Sequence, residues 1–125
     1  MNNKKNILEI AQNSILSQSK SIAKLTDFLD DNFINATESI YNCKGRLVVT
    51  GIGKSAIIAQ KIVATMNSTG TPALFLHASE AIHGDLGMVQ ADDIIICISK
   101  SGNSPEIKVL VPLLKRFGNT LIAIT

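Results

Sequence analysis

The chain has 125 residues, room for one ordinary domain but not for two. Its 46% hydrophobic content excludes an intrinsically disordered chain. A formal net charge of +2, with 4% aromatic residues and no Trp, provides neither the basic surface nor the stacking platform of a nucleic-acid binder. Cys43 and Cys97 stand far apart, outside any CxxC or Cys/His cluster, so no disulfide framework is expected and a reducing cytoplasm fits. The basic start is followed by an apolar stretch broken by Glu9, Gln12 and Asn13, which is no signal-peptide core. The longest strong apolar run, residues 94–98, is far short of the roughly 20 residues of a membrane helix. The expectation is a soluble, cytoplasmic domain with no membrane or nucleic-acid partner.

In chain order, Ile7, Ala11, Ile15, Ile22, Leu25, Leu29, Phe33, Ala36 and Ile40 recur in helical steps and share one face. A single helix of that length is unusual. Two helices are expected, with the break either in residues 17–21 or near Asp30 and Asp31. Their apolar face needs a cover, which is either the rest of the domain or another copy of the protein.

The period then changes. Leu47, Val48 and Val49, within residues 46–50, form the continuous apolar run of a strand buried on both faces. A helical pattern through Ala56, Ile57, Ala59, Ile62, Val63 and Met66 follows, closed by Gly70 and Pro72. Residues 73–76 and 92–98 read as a second and a third strand. Pro105, at a first helical position, opens a helix that Gly118 stops, and Pro112 within it predicts a local kink. Residues 121–124 form a fourth strand.

Strands alternating with helices give an α/β fold, an open parallel sheet with helices on both faces. Residues 1–44 are its N-terminal helical segment and residues 45–125 its α/β core. A sheet seldom ends on an uncovered strand, so truncation after the fourth strand is expected.

Two loops leave strands and enter helices with a composition suited to an anion. In Gly51-Ile52-Gly53-Lys54-Ser55 the glycines admit a ligand close to the backbone, Lys54 adds charge, and Ser55 is expected to cap the helix. A P-loop would need glycine where Val48 stands, and the dinucleotide fingerprint lacks its acidic residue because His77 follows the second strand. The plain alternative is a glycine turn that lets strand and helix pack. In Ser99-Lys100-Ser101-Gly102-Asn103-Ser104, hydroxyls, an amide and a glycine precede Pro105 and Glu106. This segment either rings a phosphate or simply caps a helix, with Ser104 as N-cap. If the strand order is 2-1-3-4, the two loops meet at one switch point.

Residues 77–87, a connection leaving the second strand, hold both histidines with Glu80 and Asp85. His77, Glu80 and His83 lack the HExxH arrangement, and no metal is expected. A histidine beside a phosphate loop reads better as an acid, base or donor.

These segments together, with Ser68-Thr69-Gly70-Thr71-Pro72, resemble the sugar isomerase (SIS) domain. More narrowly, Glu80-Ala81-Ile82-His83-Gly84-Asp85-Leu86-Gly87 is similar to the arabinose-5-phosphate isomerases, which supply Kdo biosynthesis for lipopolysaccharide or capsule. The resemblance implies a flavodoxin-like strand order, interconversion of D-ribulose 5-phosphate and D-arabinose 5-phosphate, no cofactor, and a homotetramer. It assigns phosphate binding to Ser99, Ser101 and Ser104 with Gly102 and Asn103, and places Gly53 and Ser55 at the substrate. Lys54, His83 and Glu106 take the catalytic positions. The family's further glutamate and histidine, and its CBS modules, fall beyond Thr125, so weak binding or no turnover is expected of this stretch alone. The alternatives are another ketose-phosphate isomerase and a non-catalytic phosphosugar-binding module.

Overall fold

The computed structural model describes residues 2–125, and the chain divides into two compact units, Met1–Asn35 and Ala36–Thr125. The first unit contains helix α1 (Asn2–Ala23), a 3-10 turn (Lys24–Phe28), and the start of α2 (Asp31–Tyr41). Of the two expected break positions, the structure uses the second. Residues 17–21 stay helical, while Leu29 is extended and Asp30 caps α2 by accepting the amides of Asn32 and Phe33 on Oδ1, at 2.9 and 3.2 Å.

The second unit contains the end of α2 and a four-stranded sheet. Its elements are β1 (Leu47–Gly51), α3 (Lys54–Ser68), β2 (Ala73–His77), α4 (Ala78–Ile82), a 3-10 turn (Asp85–Met88), β3 (Ile94–Ile98), α5 (Pro105–Arg116) and β4 (Thr120–Ile124). Every strand pair is parallel, and the order is β2-β1-β3-β4. The α/β class, the parallel sheet and the 2-1-3-4 order are as expected. The connection over residues 77–87 is more regular than its composition suggested. It winds into α4 and a 3-10 turn, because Ala78 and Ala81 are small enough to be buried against the sheet. α5 continues as helix through Pro112.

Period-two alternation divides the core between the two faces of the sheet. Val48, Leu76, Ile95 and Cys97 pack beneath α4 and α5, against Ile107, Leu110 and Leu114. Leu47, Val49, Ile94 and Ile96 pack against Ala59 of α3, with Ile62, Val63 and Met66 around them. β1 and β3, the inner strands, are apolar on both faces, as parallel strands between two helical layers must be. Among the described residues, no helix is long and apolar enough to cross a membrane.

Candidate functional site

The strand order places the site. In register, Gly51 at the end of β1 stands opposite Ile98 of β3 on one side and His77 of β2 on the other. Adjacent strands lie about 4.8 Å apart, so the loops leaving β1, β2 and β3 emerge side by side at the carboxyl edge. Because β1 and β3 are neighbours while their helices lie on opposite faces, residues 51–54 and 99–104 form the walls of one switch-point crevice.

On the first wall, a Cβ at Gly51 would sit 3.0 Å from the backbone of Ser55, a tight contact that favours glycine where the chain turns into α3. Gly53 is the N-cap of α3, with φ 58°, a conformation that side chains disfavour. No side chain caps this helix. Ser55, expected as the cap, instead lies half-buried within the first turn, because Gly53 already occupies the capping position. Lys54 is the first residue of α3 and is exposed, so its ammonium is free to move over the crevice from the α3 side.

On the second wall, Ser99 is buried and its Oγ accepts the amide of Gly102 at 3.0 Å. The Oγ of Ser101, which is exposed, accepts the amide of Asn103 at 3.2 Å. A hydroxyl that accepts from an amide still has its own hydrogen to donate. Ser104 takes the N-cap position of α5, as expected, yet its hydroxyl makes no capping bond. Its Oγ is shut off from solvent and has no hydrogen-bond partner in the chain. Glu106 follows, half-buried in the first turn of α5. Three hydroxyl donors, a helix N-terminus and a carboxylate thus come from one eight-residue stretch.

His83 closes α4 as its C-cap residue and is exposed. It belongs to the same layer as Glu106, because α4 and α5 share one core through Ala78, Ala81 and Ile107. Lys54 and Glu106 therefore approach the crevice from opposite faces of the sheet. His77 caps α4, with Nδ1 accepting the amide of Ser79 at 3.2 Å. That bond requires an unprotonated Nδ1, which places the proton of the neutral ring on Nε2. Among the described residues, no group of three or more His, Cys, Asp or Glu is arranged to hold a metal ion.

Sequence reasoning passed over Thr50. It is fully buried at the end of β1, on the α4–α5 face, and its Oγ1 has no partner. The available signal was a hydroxyl near the end of an apolar strand, immediately before the glycine turn.

Comparison with known proteins gives this geometry a context. The chain is 49% identical over 120 residues to the Haemophilus influenzae protein named "Probable arabinose 5-phosphate isomerase", spanning 96% of this chain and 36% of the relative. It is 51% identical over 104 residues to Arabinose 5-phosphate isomerase KdsD of Escherichia coli K12, covering 83% of this chain and 32% of that protein. The chain thus spans about a third of the length of the curated relatives it matches. Among solved structures, the E. coli CFT073 protein c3406, in complex with arabinose 5-phosphate, superimposes with a TM-score of 0.88 at 41% identity, over 95% of this chain and 63% of that one. Residues 39–125, which carry both walls of the crevice, match the SIS domain, and the chain belongs to that family.

Proposed function

We propose that the chain is the sugar-phosphate-binding part of an aldose–ketose isomerase that interconverts D-arabinose 5-phosphate and D-ribulose 5-phosphate. The observation that carries this reading is the state of the serine loop. Ser104 Oγ is buried without a partner at the N-cap of α5, beside two serines whose hydroxyl hydrogens remain available. A phosphate dianion takes up such donors with charge-assisted hydrogen bonds at a helix N-terminus. The relatives named as arabinose 5-phosphate isomerases, and the similar protein solved with that sugar phosphate bound, support the pentose phosphate as the ligand.

With the phosphate held by Ser99, Ser101 and Ser104, the sugar lies across the crevice between Lys54 and Glu106. Starting from the aldose, Glu106 takes the proton from C2 as the C1–C2 enediolate forms. It then returns the proton to C1 while the O2 hydroxyl proton passes to O1, leaving the ketone at C2 and a hydroxyl on C1. The sugar is neither oxidised nor reduced overall, so the step is pure proton transfer. Lys54 and His83 stabilise the enediolate oxygen as negative charge develops. The phosphate supplies remote binding energy that holds a small, flexible sugar in a reactive pose. The aldose, formed by the same steps in reverse, would serve Kdo synthesis for lipopolysaccharide or capsule, in the cytoplasm, and the working form would be a homotetramer. The exposed apolar residues of α1, among them Ile7, Leu8, Ile15 and Ile22, support the oligomer.

The test is a coupled assay for conversion of arabinose 5-phosphate to ribulose 5-phosphate. It is run on this chain and on any longer natural product of its gene, each beside Glu106→Gln. Turnover that disappears in the folded variant upholds the reading. Phosphosugar binding without turnover in every form makes the module a sensor, and turnover retained by Glu106→Gln removes Glu106 from its role.

A further inference from the structure

At the amino end of the sheet, opposite the crevice, a polar cluster holds the chain that descends from His83. Arg46, immediately before β1, grips the carboxylate of Asp93: its amide and Nε donate to Oδ1 at 2.8 and 3.2 Å, and Nη2 donates to Oδ2 at 2.7 Å. The Asp93 side chain has no solvent exposure and also accepts the amide of Gln90 at 2.9 Å. Asn119 Nδ2 donates to the carbonyls of Gln90, Ala91 and Asp93, at 2.8, 3.3 and 2.8 Å. The fit leaves no slack at Gly45, where a Cβ would stand 2.5 Å from the Asp92 carbonyl.

The Asp93 amide donates to the Gln90 carbonyl at 3.1 Å, closing a turn, and one bond of the cluster reaches beyond it. Nη2 of Arg46 also donates to the carbonyl of Met88, at 2.7 Å, the last residue of the 3-10 turn Asp85–Met88. Leu86 and Val89, either side of that bond, pack on the α4–α5 core, so residues 85–93 behave as a strut pinned at its lower end. Its upper end is Gly84, with φ 139°, whose amide donates to the Ala81 carbonyl at 3.4 Å and whose carbonyl accepts the Gly87 amide at 3.2 Å, so the strut is joined to the end of α4 across it. His83 immediately precedes Gly84, at the end of the short helix α4.

We infer that Arg46 is a positioning residue for His83: by holding Met88 it sets the strut, and through Gly84 the strut sets the imidazole over the crevice. This rests on the isomerase reading of the site. Asp93 and Asn119 fix the turn, while Arg46 alone among these three side chains ties the turn to the 3-10 segment below the histidine. A lysine in its place keeps the charge opposite Asp93 but has no planar fork to bind Asp93 and Met88 together.

The experiment compares Arg46→Lys with Asn119→Ala, which weakens the same cluster without touching Met88. Expected for Arg46→Lys is a kcat lower by about tenfold, from a displaced catalytic group. KM should stay within about twofold, since the phosphate loop belongs to another segment. Amide exchange at residues 86–89 should accelerate by at least about tenfold. Asn119→Ala should lower the melting temperature with kcat and that exchange unchanged. Arg46→Lys with wild-type kcat, or with unaltered exchange at residues 86–89, overturns the inference and leaves Arg46 a structural residue. A parent protein inactive on pentose phosphates sinks the isomerase reading instead. Exchange at residues 86–89 then decides the strut alone, acceleration upholding it and no change overturning it.

Discussion

Ser99, Ser101 and Ser104 lie within six residues of one another, and only Ser104 has a buried hydroxyl with no partner in the chain. Removing a hydroxyl that bonds to nothing should cost the ligand-free protein almost nothing. Ser104→Ala is therefore expected to keep its denaturant midpoint, within about 0.5 kcal/mol. Affinity for arabinose 5-phosphate should fall by about tenfold or more, since a bond to a charged ligand is worth about 1.5–3 kcal/mol. Calorimetric titration beside urea unfolding separates the two effects. Asp93 is the opposite case. Burial pushes its carboxyl up, but the Arg46 side chain, the amides of Gln90 and Arg46 and the guanidinium charge outweigh that and hold it below the usual carboxylate range. A carboxyl depressed in the folded state stabilises fully above its unfolded pKa, about 3.9, and loses that contribution as pH falls through the folded value. Stability should be flat in this respect from pH 7 to 5 and fall below about pH 4, more shallowly in Asp93→Asn. Asp93→Ala, which leaves the amides of Arg46 and Gln90 without their acceptor, is expected to cost about 1–3 kcal/mol by urea unfolding at pH 7.

At the scale of the element, α5 carries the helix N-terminus of the proposed phosphate loop and is anchored by Ile107, Leu110 and Leu114, none more than 4% exposed. Leu110→Ala should cost about 2–5 kcal/mol, read from urea unfolding, because the sheet below cannot collapse into the gap. These elements were legible in the sequence where one residue type leaves one option. Leu47, Val48 and Val49 read as an inner strand because only two helical layers can bury such a run. Pro105 marked the first turn of α5 because proline fits there and rarely further in. Helical periodicity did not choose between the two positions offered for the helix break, and the Asp30 cap decided between them. The turn of α4 was hidden because five residues are too few to show a period, and because burial of Ala78 and Ala81 depends on a sheet the local sequence does not describe. For the candidate site, residue types and order proposed both loops, and the strand order brings them to one edge of the sheet. Bonding did not follow, since Gly53 rather than Ser55 sits at the cap of α3 and nothing local foretells the orphaned hydroxyl of Ser104. Arg46 and Asp93 meet across 47 positions, and no local pattern joins them.

For the molecule as a whole, the proposed oligomer gives a direct test. Leu8 and Ile15 of α1 are 64% and 67% exposed, so charge there should leave the sheet core intact. The double variant Leu8→Lys, Ile15→Lys is expected to have a smaller mass by light scattering, with the far-ultraviolet melt of the α/β unit retained. An unchanged mass would move the subunit contact elsewhere.

The strand order has a further consequence in time. β1 takes β2 as its partner 26 positions later and β3 as its other partner 47 positions later. At a synthesis rate of about 5–20 residues per second, one edge of β1 waits roughly 2–9 s for β3 to emerge. During that interval Leu47, Val48 and Val49 are an open, sticky β edge on the nascent chain, a template for the wrong neighbour. The crevice that joins β1 to β3 therefore cannot exist until β3 has been made, and crowding of ribosomes on one message is where this sheet is most exposed to mispairing.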